Sequence, residues 1–304
     1  MKVFVTGATG FIGSYVTSEL HFSVHQARVF MRRTVDDPIL GECETVTGSV
    51  TDRASLRGTM DNCEAVIHLV GIIEEIPGKG ITFETMHFEA VRNVVDEAKK
   101  AGVKHFLLMS ANGARETGVS AYQTTKWKAE RYVASAGFKR WTIFRPSLVF
   151  GDPGPGKKEF ATDLATKLIK PFPILPIFGD GKYAMQPIHV GVLATAIVQA
   201  LDRDEDGGSQ YDVGGHAAIE YVEIVDRITM ALGLTPKPKL FQPLWLARPL
   251  IRAGGKLGLL PISSDQLEML VEGNTCDETA FFEAFDIEDI PFTVENLTYV
   301  AERS

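Results

Sequence analysis

The sequence has few cysteines, no excess of positive charge and no long apolar run, and each absence argues against a class of protein. Its three cysteines, Cys43, Cys63 and Cys276, are far apart and form no CxxC pair. This argues against a disulfide scaffold or a zinc site and favours reduced thiols in a cytoplasmic compartment. The net charge of −8 disfavours nucleic-acid binding, which depends on clustered lysine and arginine. We therefore expect no metal site and no nucleic-acid partner.

Neither a targeting peptide nor a membrane span is expected from the sequence. The chain begins with a strand-like pattern at Met1–Thr6, not with a basic segment followed by an apolar one. The longest stretch without Asp, Glu, Lys or Arg is Tyr183–Leu201, but its first half contains Pro187 and reads as a loop. We therefore predict a buried helix over about 190–201 in place of a span.

The residue pattern predicts an α/β protein. The 304 residues suffice for roughly two domains of ~150 residues each, and in the first half short apolar runs alternate with helical periodicity. This alternation is typical of a parallel sheet flanked by helices. The predicted strands are Lys2–Thr6, Arg28–Met31, Thr45–Thr47, Ala65–Val70, His105–Ser110 and Thr142–Phe144. One predicted helix starts near Ile12. Three others cover Arg53–Met60, Phe88–Lys99 and about Ala121–Ser135.

After Pro146 the sequence changes character. Residues 151–187 are rich in proline and glycine, which is typical of loop-rich structure. We therefore predict a first domain over 1–150 and a smaller lobe over 151–304, with the helix at about 190–201 packing back on the first domain.

Charge is unevenly distributed within the smaller lobe. Residues 227–264 include six basic residues and no acidic one, whereas residues 265–304 include eleven acidic residues and one basic. One interpretation is that these two segments face each other. The alternative starts from the aromatic and apolar residues among the basic ones, and predicts peripheral contact of 241–260 with a membrane surface or a protein complex.

A glycine-rich turn joins the first predicted strand to the first helix. Within Val5–Gly13, Gly7 permits a tight turn, Gly10 lets the backbone approach a pyrophosphate, and Gly13 allows the helix to pack against the strand. The N–H groups at the positive end of the helix then face the anion. Because strand, turn and helix follow in the required order, the motif predicts dinucleotide binding.

The end of the second strand indicates which dinucleotide is bound. An NAD site usually has Asp or Glu about 20 residues after the loop, where this sequence has Arg32 and Arg33. A guanidinium there suits a 2′-phosphate, so we favour NADP(H) over NAD(H). The alternative is that both arginines cover the strand end and pair with Asp36 or Asp37.

Candidate catalytic residues follow the fifth strand. Tyr122 and Lys126 lie one helical turn apart on the same face, and an ammonium beside a phenol lowers the pKa of the phenol. Such a tyrosine exchanges a proton with a substrate oxygen while a hydride moves to or from a nicotinamide. The spacing alone is weak evidence, but its position downstream of the glycine turn strengthens it.

The histidines and serines give no comparable pattern. His68 lies within an apolar strand and is interpreted as a core histidine. His87 and His189 are candidates to face a cleft, without a second ligand that would indicate a metal. No GxSxG elbow is present for hydrolase chemistry.

Together these motifs resemble a known family. The turn Thr6–Gly13, the Tyr122/Lys126 pair and Arg145–Gly151 are similar to those of extended or atypical short-chain dehydrogenases/reductases, a group that includes NAD-dependent epimerases and dehydratases. Within it, segments such as Met109–Ala114 and Gln186–Val190 most resemble the branch related to the 39 kDa accessory subunit of respiratory complex I. The resemblance implies a Rossmann-type doubly wound parallel sheet with a smaller, loop-rich C-terminal lobe.

The resemblance also implies a role for each site residue. Gly7, Gly10 and Gly13 would lie under the pyrophosphate, and Thr9, Phe11 and Ile12 would line it. Arg32, with Arg33 beside it, would take the 2′-phosphate. Ser49 and Val50 would lie near the adenine, and Leu69, Val70 and Gly71 beside the cofactor. Tyr122 and Lys126 would meet the nicotinamide, over which Pro146, Ser147 and Val149 would close.

One departure from the family pattern bears on activity. These enzymes usually have Ser or Thr just past the fifth strand to bind the substrate oxygen, but Ala111 is at that position and Ser110 comes one residue early. A shift of one residue at a strand end reverses the side-chain direction. Two functions therefore stay open. The first is an NAD(P)-dependent oxidoreductase or epimerase acting on a carbonyl or sugar nucleotide, with Tyr122, Lys126 and Ser110 as catalytic residues. The second is a non-catalytic NADP(H)-binding accessory protein.

Overall fold

The computed structural model describes residues 1–203, 206–255 and 263–304. They group into two compact units, which are described in turn. The first unit consists of Met1–Pro146, Leu193–Asp212 and Thr279–Ile287. The second consists of Ser147–Val192, Val213–Glu278 and Glu288–Ser304, within the described residues.

A seven-stranded sheet forms the centre of the first unit. Its strands are β1 Lys2–Thr6, β2 Gln26–Met31, β3 Glu44–Thr47, β4 Ala65–His68, β5 His105–Met109, β6 Arg140–Pro146 and β11 Gly207–Val213. They are ordered β11-β6-β5-β4-β1-β2-β3, and the pairs from β3 to β6 are all parallel. The order 3-2-1-4-5-6 is that of a doubly wound Rossmann sheet, so the predicted fold class is confirmed.

Helices cover this sheet and supply most of its core. They are α1 Phe11–His21, α2 Pro38–Glu42, α3 Arg53–Leu56, α4 Ala90–Lys100, α5 Ala121–Ser135, α7 Val190–Asp202 and α11 Thr279–Ala284. A π-helical turn, Glu84–Glu89, leads into α4. One apolar cluster joins Phe4 and Phe106 of the sheet to Val94 of α4 and Val133 of α5, all fully buried.

Helix α3 is shorter than the predicted Arg53–Met60. It stops at Leu56 because Arg57 adopts an extended backbone (ψ 127°), and Gly58 follows with a left-handed φ of +70°. The prediction of a helix over about 190–201 is confirmed by α7. Within the described part of the chain, no helix is both long enough and apolar enough to cross a bilayer.

The second unit is built from short strands and helices. Its strands are β7 Val149–Phe150, β8 Leu175–Phe178, β9 Ala184–Met185, β10 Ile188–His189, β12 Ile219–Glu220 and β13 Lys239–Gln242. Its helices are α6 Phe160–Leu164, α8 Tyr221–Ala231, α9 Leu244–Gly255, α10 Ser264–Glu272 and α12 Tyr299–Arg303. The strands pair as β7 with β10, β9 with β12 and β8 with β13, around an apolar core that includes Phe150, Ile177 and Phe292.

An ion pair joins the basic segment 227–264 to the acidic segment 265–304. Arg248 of α9 donates from Nε and Nη2 to the two carboxylate oxygens of Glu268 on α10, each over 3.0 Å. This contact supports the interpretation that the two segments face each other. The outer side of α9 exposes Trp245 (76%) and Leu246 (44%). Residues 256–260, the last part of the expected contact segment 241–260, lie outside the described residues.

Candidate functional site

The glycine-rich turn after β1 has the backbone geometry that its sequence requires. Gly7 adopts φ +81°, and a Cβ there would come within 3.0 Å of the backbone of Leu69 and Val70. On Gly13 a Cβ would lie 2.1 Å from the Gly7 carbonyl oxygen, whereas on Gly10 the nearest atom would be 3.2 Å away. Two glycines are therefore required by packing, and the exposed Thr9 and Gly10 leave the turn open to a ligand.

The helix that follows the turn starts without a side-chain cap from the described residues. Gly10 is the N-cap of α1, no side chain of the described residues caps the helix, and no acidic residue lies in its first turn. Phe11 and Ile12 therefore present backbone N–H groups at the positive end of the helix, where an anion is stabilised. These residues fit a diphosphate.

The ends of the neighbouring strands lie beside this turn. The Leu69 N–H donates to the Thr6 carbonyl over 3.1 Å, so the segment Leu69–Gly71 after β4 lies beside the glycine turn. At the end of β2 the Met31 carbonyl accepts from the N–H of Gly48 over 2.9 Å, next to Ser49 and Val50. Because carboxyl ends of parallel strands meet at one sheet edge, where ligands bind in this fold, the structure brings the expected cofactor segments together.

Within this edge, Ser49 and Val50 are held by local hydrogen bonds. The Ser49 hydroxyl lies 2.8 Å from the Thr51 hydroxyl, and the carbonyl of buried Val50 accepts from the Asn93 amide over 3.1 Å. Neither side chain carries a charge, so this corner is suited to an uncharged group such as a base.

Arg32 and Arg33 project from the carboxyl end of β2 with their side chains exposed. Neither makes an ion pair with a described residue. Asp37, a possible partner in the sequence, instead accepts from the N–H groups of Ile39 and Leu40 and caps α2. The two guanidinium groups are thus available to an anion outside the protein.

Tyr122 and Lys126 lie at the carboxyl end of β5. Helix α5 begins at Ala121 because the Ser120 side chain caps it by accepting from the Gln123 N–H. The buried Lys126 ammonium donates to the Met109 carbonyl over 3.0 Å and lies 6.0 Å from the centroid of the Tyr122 ring. The Tyr122 hydroxyl makes no hydrogen bond with a described residue. The helix therefore presents a phenol and an ammonium side by side.

The electrostatics of this pair differ from the expectation. Burial raises the pKa of Tyr122 to about 12, whereas the sequence led us to expect a value lowered by the ammonium. The expectation was wrong because Lys126 faces the ring and donates to a carbonyl, so it does not offset the desolvation of the phenol. Burial lowers the pKa of Lys126 to about 8, against an opposing effect of the Glu130 carboxylate. At neutral pH the pair is a neutral phenol beside a largely protonated amine.

Ser110 is directed to a buried ion pair. Its hydroxyl donates to the Glu130 carboxylate, which also accepts from Arg145 Nε over 2.8 Å and from Arg145 Nη2 over 2.5 Å. Ser110 and Glu130 are each 3% exposed, and Ala111, at the usual Ser/Thr position, has no hydroxyl. The structure therefore directs the donor hydrogen of Ser110 to Glu130, not to a substrate oxygen.

His87, one of the two histidines expected to face a cleft, lies in this site. Its ring is 1% exposed and packs edge-on against the Tyr122 ring at 5.1 Å. It belongs to the π-helical turn before α4, a distortion that is frequent at functional sites. The π-helical turn marks His87 as a functional residue in the structure, but the spacing of residues in the sequence did not predict this turn.

The remaining expected residues are distributed over both units. Pro146 ends β6 in the first unit, whereas Ser147 and Val149 belong to the second. There the Ser147 hydroxyl donates to the Gln186 carbonyl, and Val149 pairs with Ile188 of β10.

The other histidines and acidic residues do not form a metal site in the described part of the chain. His68 is fully buried, as expected for a core histidine. Its Nδ1 lies 2.8 Å from the Thr6 hydroxyl, while its Nε2 has no hydrogen-bond partner among the described residues. His189 lies in β10 of the second unit.

The sequence is similar to a known protein family and to individual proteins. The model of the NAD dependent epimerase/dehydratase family matches residues 3–214. The chain is 28% identical over 220 residues to the mitochondrial NADH dehydrogenase [ubiquinone] 1 alpha subcomplex subunit 9 of Arabidopsis thaliana, covering 69% of this chain and 53% of that protein. It is 31% identical over 199 residues to the ceramide reductase of Caulobacter vibrioides, covering 64% and 59%. The chain thus spans little more than half the length of these relatives.

Solved structures share the fold over the full chain. The UDP-glucuronic acid 4-epimerase of Bacillus cereus, in complex with UDP-glucuronic acid and NAD, superposes with a TM-score of 0.75 at 17% identity and covers 99% of both chains. At this identity the likeness shows the fold.

Proposed function

Since the chain belongs to the NAD dependent epimerase/dehydratase family, we propose that it is an NAD(P)-dependent oxidoreductase or epimerase that uses Tyr122 as its acid/base. The observation that carries the proposal is the Tyr122–Lys126 pair. A phenol hydroxyl without a described hydrogen-bond partner lies beside a buried ammonium, at the same sheet edge as an uncapped glycine turn. A dinucleotide site and a proton-transfer group are the two requirements of this chemistry.

The residues around the glycine turn would hold the dinucleotide. Gly7, Gly10 and Gly13 form the turn, and the N–H groups at the start of α1 would bind the diphosphate. Leu69–Gly71 would flank the cofactor, and Ser49 and Val50 would contact the adenine. The bound nicotinamide supplies or accepts the hydride.

Tyr122 would act on the substrate oxygen. With a pKa of about 12 it is protonated at neutral pH, which suits donation of its proton to a carbonyl oxygen during reduction. Lys126, still largely protonated at a pKa of about 8, would bind the nicotinamide ribose. A protonated Tyr122 favours the reductive direction, in which it donates its proton, when a reduced cofactor is bound.

Two similar proteins support the substrate classes that we propose. A relative is named as a ceramide reductase, and a structural neighbour was solved with a UDP-sugar and NAD, so the substrate is a carbonyl compound, an alcohol or a sugar nucleotide. Oxidoreduction changes the nicotinamide absorbance, whereas epimerisation returns the cofactor to its starting state. Both products therefore need to be measured.

The first test removes only the acid/base. Tyr122→Phe should lower turnover by about 100-fold or more, the usual contribution of a positioned proton donor, and leave cofactor affinity unchanged. Tyr132→Phe is the matched control, because that hydroxyl is on the same helix but donates to Asp96 over 2.6 Å. Turnover is measured by absorbance at 340 nm and by chromatography of sugar products. Full activity of Tyr122→Phe would contradict the proposed role.

The preference between dinucleotides rests on Arg32. We propose that NADP(H) is favoured over NAD(H), with Arg32 and Arg33 binding the 2′-phosphate, because both are exposed and make no ion pair with a described residue. Arg32→Glu should weaken NADPH binding by roughly tenfold or more, the cost of a charged hydrogen bond, and leave NADH binding nearly unchanged. Calorimetry of both coenzymes checks this, with exposed Arg131→Glu as the control. Equal affinity of the native protein for NADH and NADPH would refute the preference.

A second function is favoured by the geometry at Ser110. Because Ala111 lacks a hydroxyl and Ser110 donates to Glu130, the site lacks the usual second donor to a substrate oxygen. This observation supports a non-catalytic NADP(H)-binding accessory role, and a relative is named as a subunit of NADH dehydrogenase. In that case the cofactor stabilises the fold by mass action. Retained NADPH, raised melting temperature and no turnover on carbonyl or sugar-nucleotide panels would support this role over the enzyme.

A further inference from the structure

A buried histidine joins two segments of the first unit that are far apart in the sequence. His87 Nδ1 lies 3.1 Å from the Thr125 hydroxyl on helix α5, between Tyr122 and Lys126. Its Nε2 lies 3.1 Å from the Ile72 nitrogen and 3.0 Å from the Ile72 carbonyl oxygen. One imidazole thus connects the segment after β4 to the helix that carries the acid/base pair.

His87 differs in this respect from two other buried histidines of the described chain. His68 and His105 each have one ring nitrogen without a hydrogen-bond partner among the described residues, whereas both nitrogens of His87 have one. Burial and the neighbouring Lys126 ammonium lower the pKa of His87 to about 2, so its ring is neutral. A neutral imidazole has one donor and one acceptor nitrogen. Because the Thr125 hydroxyl donates to the Ala121 carbonyl over 2.7 Å, it accepts from His87 Nδ1, and His87 Nε2 accepts from the Ile72 N–H.

The space beside this link is narrow. A Cβ on Gly71 would lie 3.1 Å from Lys126 Nζ and 3.7 Å from His87 Nε2, so the segment after β4 runs directly over the lysine. The His87 ring also stacks on Phe83 at 5.3 Å and packs edge-on against Tyr122 at 5.1 Å. The distance between the Leu69–Gly71 segment and the Tyr122–Lys126 pair is thus set by this ring.

We propose that His87 is a positioning residue that fixes the Leu69–Gly71 segment relative to Tyr122 and Lys126, and thereby shapes the nicotinamide end of the cofactor site. The proposal rests on the proposed function, because it assigns the two segments to opposite sides of one cofactor. His87 acts through Ile72 and Thr125, not on the cofactor itself. Its effect is therefore confined to the nicotinamide end and spares the adenine and the diphosphate.

Two ligands separate these ends of the site. NADPH contains the nicotinamide, whereas 2′-phospho-ADP-ribose has the adenine, the 2′-phosphate and the diphosphate but no nicotinamide. His87→Leu removes both hydrogen bonds and should raise the dissociation constant of NADPH by about tenfold, the effect of losing a buried hydrogen bond. The dissociation constant of 2′-phospho-ADP-ribose should stay unchanged. Calorimetry measures both, and the fluorescence of bound NADPH should shift toward that of free NADPH.

A matched control comes from His105 on β5. This histidine is also buried, and its Nε2 lies 3.0 Å from the Thr142 hydroxyl. His105→Leu should lower the melting temperature and leave both dissociation constants unchanged. His87→Gln supplies the rescue, because its amide approximates the Nε2 position and retains the bond to Ile72. It should restore most of the NADPH affinity, whereas His87→Asn, which reaches only toward Thr125, should not.

The outcomes are distinguishable. Loss of NADPH affinity with His87→Leu, intact 2′-phospho-ADP-ribose binding and rescue by Gln support the positioning role. An equal loss for both ligands shows a structural role only, and no loss shows no role; either result overturns the inference. If the native protein binds neither NADPH nor NADH, the proposed function itself fails. Should His87→Leu not fold, the comparison of the Gln and Asn variants decides the question.

Discussion

Gly13 illustrates how closely the first helix packs on the first strand at the level of single atoms. An added Cβ would lie 2.1 Å from the Gly7 carbonyl oxygen and 2.7 Å from Ala8 Cα. Both are backbone atoms of a turn that is itself held by the Gly10 N–H donating to Gly7 over 3.0 Å. They cannot move aside as a flexible side chain would, so any side chain at position 13 shifts the helix start.

Gly13→Ala should therefore destabilise the protein by about 1–3 kcal/mol, the usual cost of overpacking, and weaken dinucleotide binding. The control is Gly41→Ala in α2, where a Cβ meets nothing within 4 Å. That change should be neutral or stabilise by up to about 1 kcal/mol, because alanine favours the helix over glycine. Urea unfolding and calorimetry measure the two effects. A Gly13→Ala variant as stable as the native protein would contradict the packing argument.

The residues of the site differ in how far the sequence predicted them. Tyr122 and Lys126 were predicted because helical spacing places them on one face. The environment of Tyr122 was not predicted, since the ring that contacts it, His87, comes from a different helix. That contact depends on tertiary packing, and so does the burial that raises the pKa of Tyr122.

Among the secondary-structure elements, helix α5 is held to the sheet by a buried ion pair. Glu130 accepts from both Arg145 of β6 and Ser110 after β5. The side chains of Arg145 and Glu130 are 19% and 3% exposed. A charge left unpaired at this depth is costly, whereas the intact pair contributes little beyond its own desolvation.

The two charges should thus behave as one unit on mutation. Glu130→Met should lower the free energy of unfolding by about 3–5 kcal/mol, because it leaves Arg145 buried without this partner. The double variant Glu130→Met/Arg145→Met should lose much less than the sum of the losses of the single variants Glu130→Met and Arg145→Met. Urea unfolding of the four proteins gives the coupling energy. Strictly additive losses would show that the ion pair is not the link between α5 and β6.

Element boundaries were predicted where local signals mark them. Helix α5 matches its predicted bounds because Ser120 caps it, and β1 ends as predicted where the glycine turn begins. Helix α3 ends early because Gly58 turns the chain. The π-helical turn at Glu84–Glu89 had no local signal in the sequence.

At the scale of the whole molecule, acid has opposite effects on stability through different buried groups. Histidines with lowered pKa values destabilise the folded state as the pH falls, and a carboxyl group with a raised pKa stabilises it. Burial lowers the pKa values of His68, His87 and His105 to about 3, 2 and 4, below the ordinary value of 6.5. The folded state keeps these rings neutral while the unfolded chain takes up protons. Their contribution to stability is therefore complete above pH 6.5 and is lost as the pH falls toward the folded values.

Glu159 in the second unit has the opposite effect. Burial raises the pKa of its carboxyl group to about 7 from an ordinary 4.5, although it accepts hydrogen bonds from the N–H groups of Ala161 and Thr162. The folded state therefore binds a proton more tightly than the unfolded chain. Stability from this group rises as the pH falls from about 7 toward 4.5. Burial lowers the pKa of His189, so its contribution to stability falls with the pH, as it does for the other histidines.

Acidification from pH 7.5 to 5.5 should therefore destabilise the native protein, because three strongly shifted histidines outweigh one carboxyl group. Each of these histidines accounts for a loss of about 1 kcal/mol and Glu159 for a gain of about 2 kcal/mol, at 1.36 kcal/mol per pKa unit. His105→Leu should lose about 1 kcal/mol less than the native protein on acidification, and Glu159→Gln about 2 kcal/mol more. Urea unfolding of the three proteins at both pH values measures these differences. The same loss in all three would show that neither His105 nor Glu159 titrates differently in the folded and unfolded states.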